Sequence, residues 1–286
     1  MSVVNTNASN LNLSVTSPPL IMGILNVTPD SFSDGGKHNE PASAVKHALK
    51  MVQAGADIID VGGESTRPGA STVDTDEQLR RVLPVIEQLR DKLPADFPIS
   101  IDTTDIKVAI AAVESGVNWL NDISAAEDSA EMLNLAADKK IPIVLMHRQG
   151  KSASMQDAPY YVDVCKEVFG YLLQRAEAAI VAGVYEQHIV LDPGIGFGKL
   201  LEHNLAILKE LPALCQQGFP VLLGTSRKRF LSVICDEQDA SLLGVATAAT
   251  TALAVQSGVK ILRVHDVIHN RQAADVAWAI QTGTYK

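Results

Sequence analysis

The sequence predicts an α/β fold, a single-domain (β/α)8 barrel. Three observations carry this expectation. Eight short runs rich in Ile, Val and Leu recur along the chain, and each shows little polar alternation, as strands buried on both faces do. A longer amphipathic stretch follows each run, which implies parallel strands joined by right-handed crossovers. The chain has 286 residues, enough for a barrel, which reaches ~250 residues as one unit. An open doubly wound sheet is the alternative, and no Pro/Gly/Ser linker marks a second domain.

The strand candidates are LIMGILN (20–26), DIIDVG (57–62), PISID (98–102), VNWLND (117–122), PIVLMH (142–147), IVLD (189–192), PVLLG (220–224) and KILRVH (260–265). The helical stretches are 41–54, 75–92, 105–115, 128–139, 160–183, 202–210, 240–256 and 268–281. In the second, Leu79, Val82, Leu83 and Ile86 fall on one face at helical spacing. Asp157 and Ala158 ahead of Pro159, and Asp239 ahead of a small-residue run, read as helix starts. Gly55, Gly116, Gly183, Gly218 and Gly258 each close a helical stretch before a strand, where a left-handed residue ends a helix. Two connections, 27–40 and 63–74, exceed the ~2–6 residues usual for such turns, so they read as binding loops at the strands' C-terminal ends.

Composition excludes several classes. Apolar residues make up 47 %, which rules out a disordered chain. The formal net charge of −9 argues against a nucleic-acid binder, which needs clustered Lys and Arg. Cys165, Cys215 and Cys235 are odd in number and widely spaced, so neither a disulfide framework nor a zinc site is expected. Reduced thiols suit the cytoplasm. Residues 1–17 hold ten Ser, Thr or Asn and no Lys or Arg, and read as a mobile tail ahead of a barrel over 18–286, not as a signal peptide. No apolar run is long enough for a membrane span.

The chemistry lies where the strands end. In chain order these positions carry Asn26; Glu64, Ser65, Thr66 and Arg67; Asp102; Asn121 and Asp122; Met146 and His147; Asp192; Ser226, Arg227 and Lys228; Arg263 and His265. A polar cap at a strand exit explains any one of them. All eight strands ending this way is the pattern of a ligand site at a barrel mouth. Asp102, Asn121 and Asp192 offer acceptors and an amide suited to a flat heterocycle that presents several N–H groups side by side. Lys228, Arg263 and His265 suit a phosphate or diphosphate, and Arg263 can stack on a ring. Asn26 is a plausible oxygen ligand to Mg2+, which takes few protein ligands beside substrate phosphates.

Other motifs fail on spacing. In DPGIGFGK (192–199), Pro193 stands where a P-loop needs its first Gly and Leu200 where it needs Ser or Thr. Lys199 likewise replaces the last Gly of a dinucleotide-binding fingerprint.

Taken together, GILNVTPDSFSDGG (23–36), DIIDVGGESTRPGA (57–70), ISIDTT (99–104), NDISA (121–125), LMHRQG (145–150), LDPGIGFGK (191–199), GTSRKRF (224–230) and RVHDV (263–267) resemble the dihydropteroate synthases. The match is ordered, touches all eight units and runs from about residue 20 to the end. The resemblance implies a (β/α)8 barrel of the folate pathway. It implies condensation of 6-hydroxymethyl-7,8-dihydropterin diphosphate with p-aminobenzoate, giving 7,8-dihydropteroate and diphosphate, with Mg2+. It places the pterin diphosphate on residues matching Asn26, Thr66, Asp102, Asn121, Met146, Asp192, Phe197, Lys228, Arg263 and His265. It places p-aminobenzoate near Asp34, Thr66, Arg67, Pro68, Ser226 and Lys228, with Ser226 at the start of the helix after strand 7. Asp102, Asp192, Lys228, Arg263 and His265 are the expected catalytic set, and Asn26 the metal ligand. An arylamine needs no strong base to act as nucleophile, so a dissociative displacement is expected.

Methyltetrahydrofolate–corrinoid methyltransferases share the ring-edge groups. They need neither a diphosphate site nor a carboxylate site, and both are legible here. A non-catalytic pterin-binding paralogue is the third reading. Arg148 stands where relatives often carry Met. The small-residue helix 241–258 suits either close packing on the barrel or the face of a homodimer.

Overall fold

The computed structural model describes residues 11–14, 16–28, 40–64, 73–150, 155 and 158–284. Eight parallel strands alternate with helices, as the apolar runs predict. They are β1 (Leu20–Asn26), α1 (Glu40–Gln53), β2 (Ile58–Gly62), α2 (Thr75–Lys92), β3 (Ile99–Asp102), α3 (Ile106–Glu114), β4 (Trp119–Asp122), α4 (Glu131–Lys139) and β5 (Ile143–Met146). The second half continues with α5 (Val164–Val181), β6 (Ile189–Asp192), α6 (Leu201–Lys209), α7 (Leu211–Cys215), β7 (Leu222–Leu223), α8 (Arg229–Cys235), α9 (Gly244–Gln256), β8 (Ile261–Val264) and α10 (Val267–Thr282). The strand order β6-β5-β4-β3-β2-β1-β8-β7 runs round one sheet. A parallel bridge between Leu191 and Val221 joins its ends, so the sheet is a barrel and not an open doubly wound layer.

The period-2 alternation of strand side chains sorts the apolar residues into two sets. Ile59, Val61, Ile99, Ile101, Leu120, Ile143, Leu145, Ile189 and Leu191 join the helices in the outer core. Leu20, Met22, Ile58, Trp119, Val144, Val190, Leu222 and Ile261 pack together inside the barrel as its floor, and Leu11 and Leu13 lie against them. Below the floor Lys260, only 2 % exposed, donates from Nζ to the carbonyls of Ser17 and Pro18 and to the Ser17 hydroxyl.

Two residues further along four of the strands, the inward face turns polar. Ile58 is followed by Asp60, Trp119 by Asn121, Val190 by Asp192 and Ile261 by Arg263. Register then aligns the rim. Asn26 pairs with Gly62, Gly62 with Asp102, Asp102 with Asn121, and Met146 with Asp192.

Three local expectations change. The helix expected from 160 starts at Val164: Asp163 is its N-cap and accepts from the Lys166 N–H at 3.1 Å. Of the start signal ahead of Pro159, Ala158 lies in a bend and Asp157 lies outside the described residues. Helices α7 and α8 are additional to the eight expected, being too short for amphipathic periodicity to reveal. The buried face of α2 is centred on Val82, Val85, Ile86 and Leu89, and Leu79 and Leu83 sit at its margin. The five helix-closing glycines all have positive φ, between 93° and 106°.

Candidate active site

Arg263 is the hub of the mouth. It projects inward from β8, with its side chain 18 % exposed. Its Nε donates to Asp60 Oδ2 at 2.7 Å and its Nη2 to Asp102 Oδ2 at 2.6 Å. Asn121 Nδ2 donates to the same Asp60 oxygen at 3.0 Å. One guanidinium therefore joins β2, β3 and β8, and β4 is tied to it through Asn121.

The second oxygens of Asp60 and Asp102 are buried with no hydrogen-bond partner among the described residues. A buried acceptor left open carries a desolvation cost, so its persistence at a cavity mouth points to a ligand donor. Burial raises the Asp102 carboxyl to about 7; Arg263 opposes this, while Asp60, Asp122 and Glu64 add to it. One cation does not neutralise two buried carboxylates. Burial also works against the Arg263 charge, but Asp60 and Asp102 more than offset it and hold the guanidinium charged.

The opposite wall is built by β6 and the turn after β7. Asp192 Oδ1 accepts from the Gly194 N–H at 2.7 Å. Burial raises the Asp192 carboxyl despite nearby Lys228. Lys228 donates from Nζ to the Ile195 carbonyl, and Nζ lies 4.7 Å from the centre of the Phe197 ring. Burial lowers its amine to about 8 against the pull of Asp192. Nearby, Ser226 Oγ lies 3.0 Å from His265 Nδ1 and accepts from the His265 backbone N–H at 3.2 Å. Ser226 precedes the α8 N-cap, which is Lys228, so this hydroxyl is positioned by His265 and not by the helix terminus.

The described residues thus bring Asn26, Asp102, Asn121, Met146, Asp192, Phe197, Ser226, Lys228, Arg263 and His265 to one end of the barrel. Asp34, Thr66, Arg67 and Pro68 lie outside the described residues. Asp122 turns away: it accepts from the Ser124 N–H and hydroxyl at 2.7 and 2.6 Å and from the Ala126 N–H at 3.0 Å, shaping the turn after β4. Arg148 is occupied by Asp128 at 2.5 Å.

A family model described as pterin binding enzyme matches residues 22–265. A curated dihydropteroate synthase from Synechocystis is 46 % identical over 260 residues, covering 91 % of this chain and 89 % of that protein. The chain belongs to the dihydropteroate synthases. It is accordingly a transferase of folate biosynthesis. Two solved structures agree in fold. The Xanthomonas albilineans dihydropteroate synthase with 4-aminobenzoic acid superposes with a TM-score of 0.87 at 43 % identity, covering 94 % of both chains. The Yersinia pestis enzyme in a sulfonamide drug complex gives 0.88 at 38 % identity, covering 96 % of this chain and 98 % of that one.

Two residues of the mouth escaped the strand-end reading. Asp60 lies inside β2, two positions before its end. The signal was available: a second carboxylate in an otherwise apolar buried run, in phase with the inward face. The other is Lys199, which the sequence offers only as a disqualified motif residue. Its side chain is buried behind the 193–198 segment. Its Nζ lies 2.9 Å from His147 Nδ1, 2.9 Å from the Gly194 carbonyl and 3.1 Å from that of Phe197. Burial, reinforced by Lys199, lowers the His147 imidazole to about 3. Burial likewise pulls the Lys199 amine well below the usual lysine range.

Proposed function

We propose that this mouth is where 6-hydroxymethyl-7,8-dihydropterin diphosphate and p-aminobenzoate meet to form 7,8-dihydropteroate. The observation that carries the reading is the open, buried oxygen of Asp102 beside the charged Arg263. A pterin edge presents adjacent N–H donors, and Asp102, Asn121 and Asp192 are grouped to meet them. Met146 and Phe197 supply apolar contact. Lys228 lies between the two substrates.

The pterin methylene carbon loses its bond to the diphosphate oxygen, and the bonding electrons leave with diphosphate. The amine nitrogen of p-aminobenzoate then bonds to that carbon and sheds a proton to solvent. Arg263 and His265 stabilise the departing anion by preorganised charge, and Asp102 and Asp192 stabilise a cationic pterin methylene. A carbon that becomes cationic before attack gives a secondary isotope effect clearly above unity. A value near unity would exclude this dissociative course.

Mg2+ fits the residues present. The Asn26 side chain makes no hydrogen bond to the described residues, and its Oδ1 faces Gly62, where a Cβ would stand 3.7 Å away. Among the described residues no trio of His, Cys, Asp or Glu gathers to hold a metal. Mg2+ needs few protein ligands, so Asn26 would hold it, and the ion would supply charge neutralisation to the leaving group.

The p-aminobenzoate end takes Ser226 and Lys228 with Asp34, Thr66, Arg67 and Pro68, and sulfonamides compete there. The three cysteines are unpaired, which suits the reducing cytoplasm. No described helix is long and apolar enough to cross a membrane. A homodimer forms through α9 and α10, whose outer faces expose Val245, Leu253, Ile268, Val276 and Ile280. The deciding assay is diphosphate release with and without p-aminobenzoate. Release that requires the amine is expected; release indifferent to it overturns the reading.

A further inference from the structure

The segment from Asp192 to Lys199 is a carbonyl arc with a lysine on each side. Gly194, Gly196 and Gly198 all have positive φ, at 65°, 81° and 63°. A Cβ on Gly194 would stand 1.9 Å from the His147 carbonyl oxygen, and one on Gly198 would stand 2.3 Å from that of Gln149. Only glycine allows the chain to turn back on itself so tightly. The turns aim the Gly194 and Phe197 carbonyls at Lys199 Nζ, behind the arc, and the Ile195 carbonyl at Lys228 Nζ, at the mouth.

Three further polar groups of the arc are also bound. The Gly198 carbonyl accepts from the Tyr161 hydroxyl at 2.9 Å. Asn204 Oδ1 accepts from the Gly196 N–H at 2.8 Å, and Asn204 Nδ2 donates to the Lys199 carbonyl at 3.2 Å. The front of the arc carries the Gly194 N–H that holds Asp192 and the Phe197 ring beside Lys228. Lys199 itself is 2 % exposed and reaches no substrate position.

We infer that Lys199 is a positioning residue for pterin binding. By drawing the Gly194 and Phe197 carbonyls inward, it fixes the segment that orients Asp192, Phe197 and Lys228. Three carbonyls surround it as acceptors, those of Gly194, Phe197 and, at 3.3 Å, His147, and His147 Nδ1 lies 2.9 Å away. With Lys199 removed, the Phe197 carbonyl loses its donor and the Gly194 carbonyl keeps only the Phe197 N–H at 3.1 Å, so the arc has reason to turn elsewhere.

This inference rests on the mouth being the pterin site, and the test separates the two. Lys199→Met keeps the length and apolar stem but removes every donor. Lys260→Met is the control, because Lys260 is just as buried but sits under the floor at the other end of the barrel. Equilibrium binding of 6-hydroxymethyl-7,8-dihydropterin diphosphate is measured well below each variant's melting temperature. Lys199→Met is expected to bind it at least tenfold more weakly, with the KM for p-aminobenzoate at saturating pterin within threefold of the parent. Lys260→Met is expected to melt earlier and bind within twofold.

Should Lys199→Met not fold, His147→Leu removes the imidazole that contacts the amine and is expected to weaken binding at least threefold. A loss under threefold in the Lys199 variant, or under threefold in the His147 variant where that one is used, overturns the inference. An equal loss in Lys260→Met does the same. If the parent enzyme itself does not bind the pterin, the site reading falls as well.

Discussion

Arg263 reaches Asp60 across the barrel interior, from β8 past β1 to β2, with Nε 2.7 Å from Oδ2. Asp60 is fully buried and Asp102 stands at the rim, so the two carboxylates on this guanidinium have different duties. Asp60→Ala leaves a buried cation short of its partner and is expected to cost about 3–5 kcal/mol. Asp102→Asn keeps the shape and loses the carboxylate that meets ligand. It is expected to weaken pterin binding by ~100-fold or more, about 2.7 kcal/mol, with a small change in stability. Urea unfolding and pterin titration of both variants check this. A large drop in melting temperature with normal pterin affinity in Asp102→Asn would contradict it.

The same carboxylate sets a pH dependence. Its folded-state value, about 7, lies above the ordinary carboxylate value. Between the two the native state holds a proton that the unfolded chain has released, so this group's contribution to stability falls as pH rises from about 4 to about 7. Asp102→Asn should therefore gain stability relative to the parent as pH rises from about 4 to about 7. In the proposed site, pterin use would need the ionised Asp102 and the charged Lys228, whose amine is lowered to about 8. The profile of kcat/KM for the pterin is expected to be a narrow bell, falling on the acid side as Asp102 takes up a proton and on the basic side as Lys228 loses one. Loss of the acid limb in Asp102→Asn identifies its source; an unchanged limb rejects that assignment.

In the proposed reading, Arg67 belongs to the amine end of the reaction. Arg67→Ala is expected to raise the KM for p-aminobenzoate at least tenfold and to leave equilibrium pterin binding within twofold. Steady-state kinetics with the amine varied provides the check, and unchanged amine kinetics would remove Arg67 from that site.

Val245 is 84 % exposed on α9, and Leu253 lies two turns further along the same helix at 64 %. A paired Val245→Glu, Leu253→Glu variant is expected to sediment at half the mass of the parent, without loss of helical content. A parent enzyme that sediments as a monomer at tens of micromolar would reject the dimer.

Much of the architecture was legible because each strand is part of a short apolar run and most helices are long enough to show a face. The rim residues were legible for the same reason: a polar residue at the end of an apolar run is conspicuous. Asp60 was passed over because it lies within a run, where only its phase reveals that it points inward. Lys199 carried no signal of its own, since its role follows from a folded arc that brings Gly194 and Phe197 onto one amine. Helix α8 was missed for a different reason: seven residues complete too few turns to display periodicity.

The rim register has a consequence for assembly. Asn26, Gly62, Asp102 and Asn121 share one rung across four strands. A slip of β3 by a single residue would send Asp102 into the layer beneath the helices and bring Ile101 into the mouth. Arg263 would then lack one counter-charge, and a carboxylate would be stranded among Val and Ile side chains. The ion pairs therefore penalise a mis-threaded chain at barrel closure. Insertions within the strands should be lethal to fold and activity together.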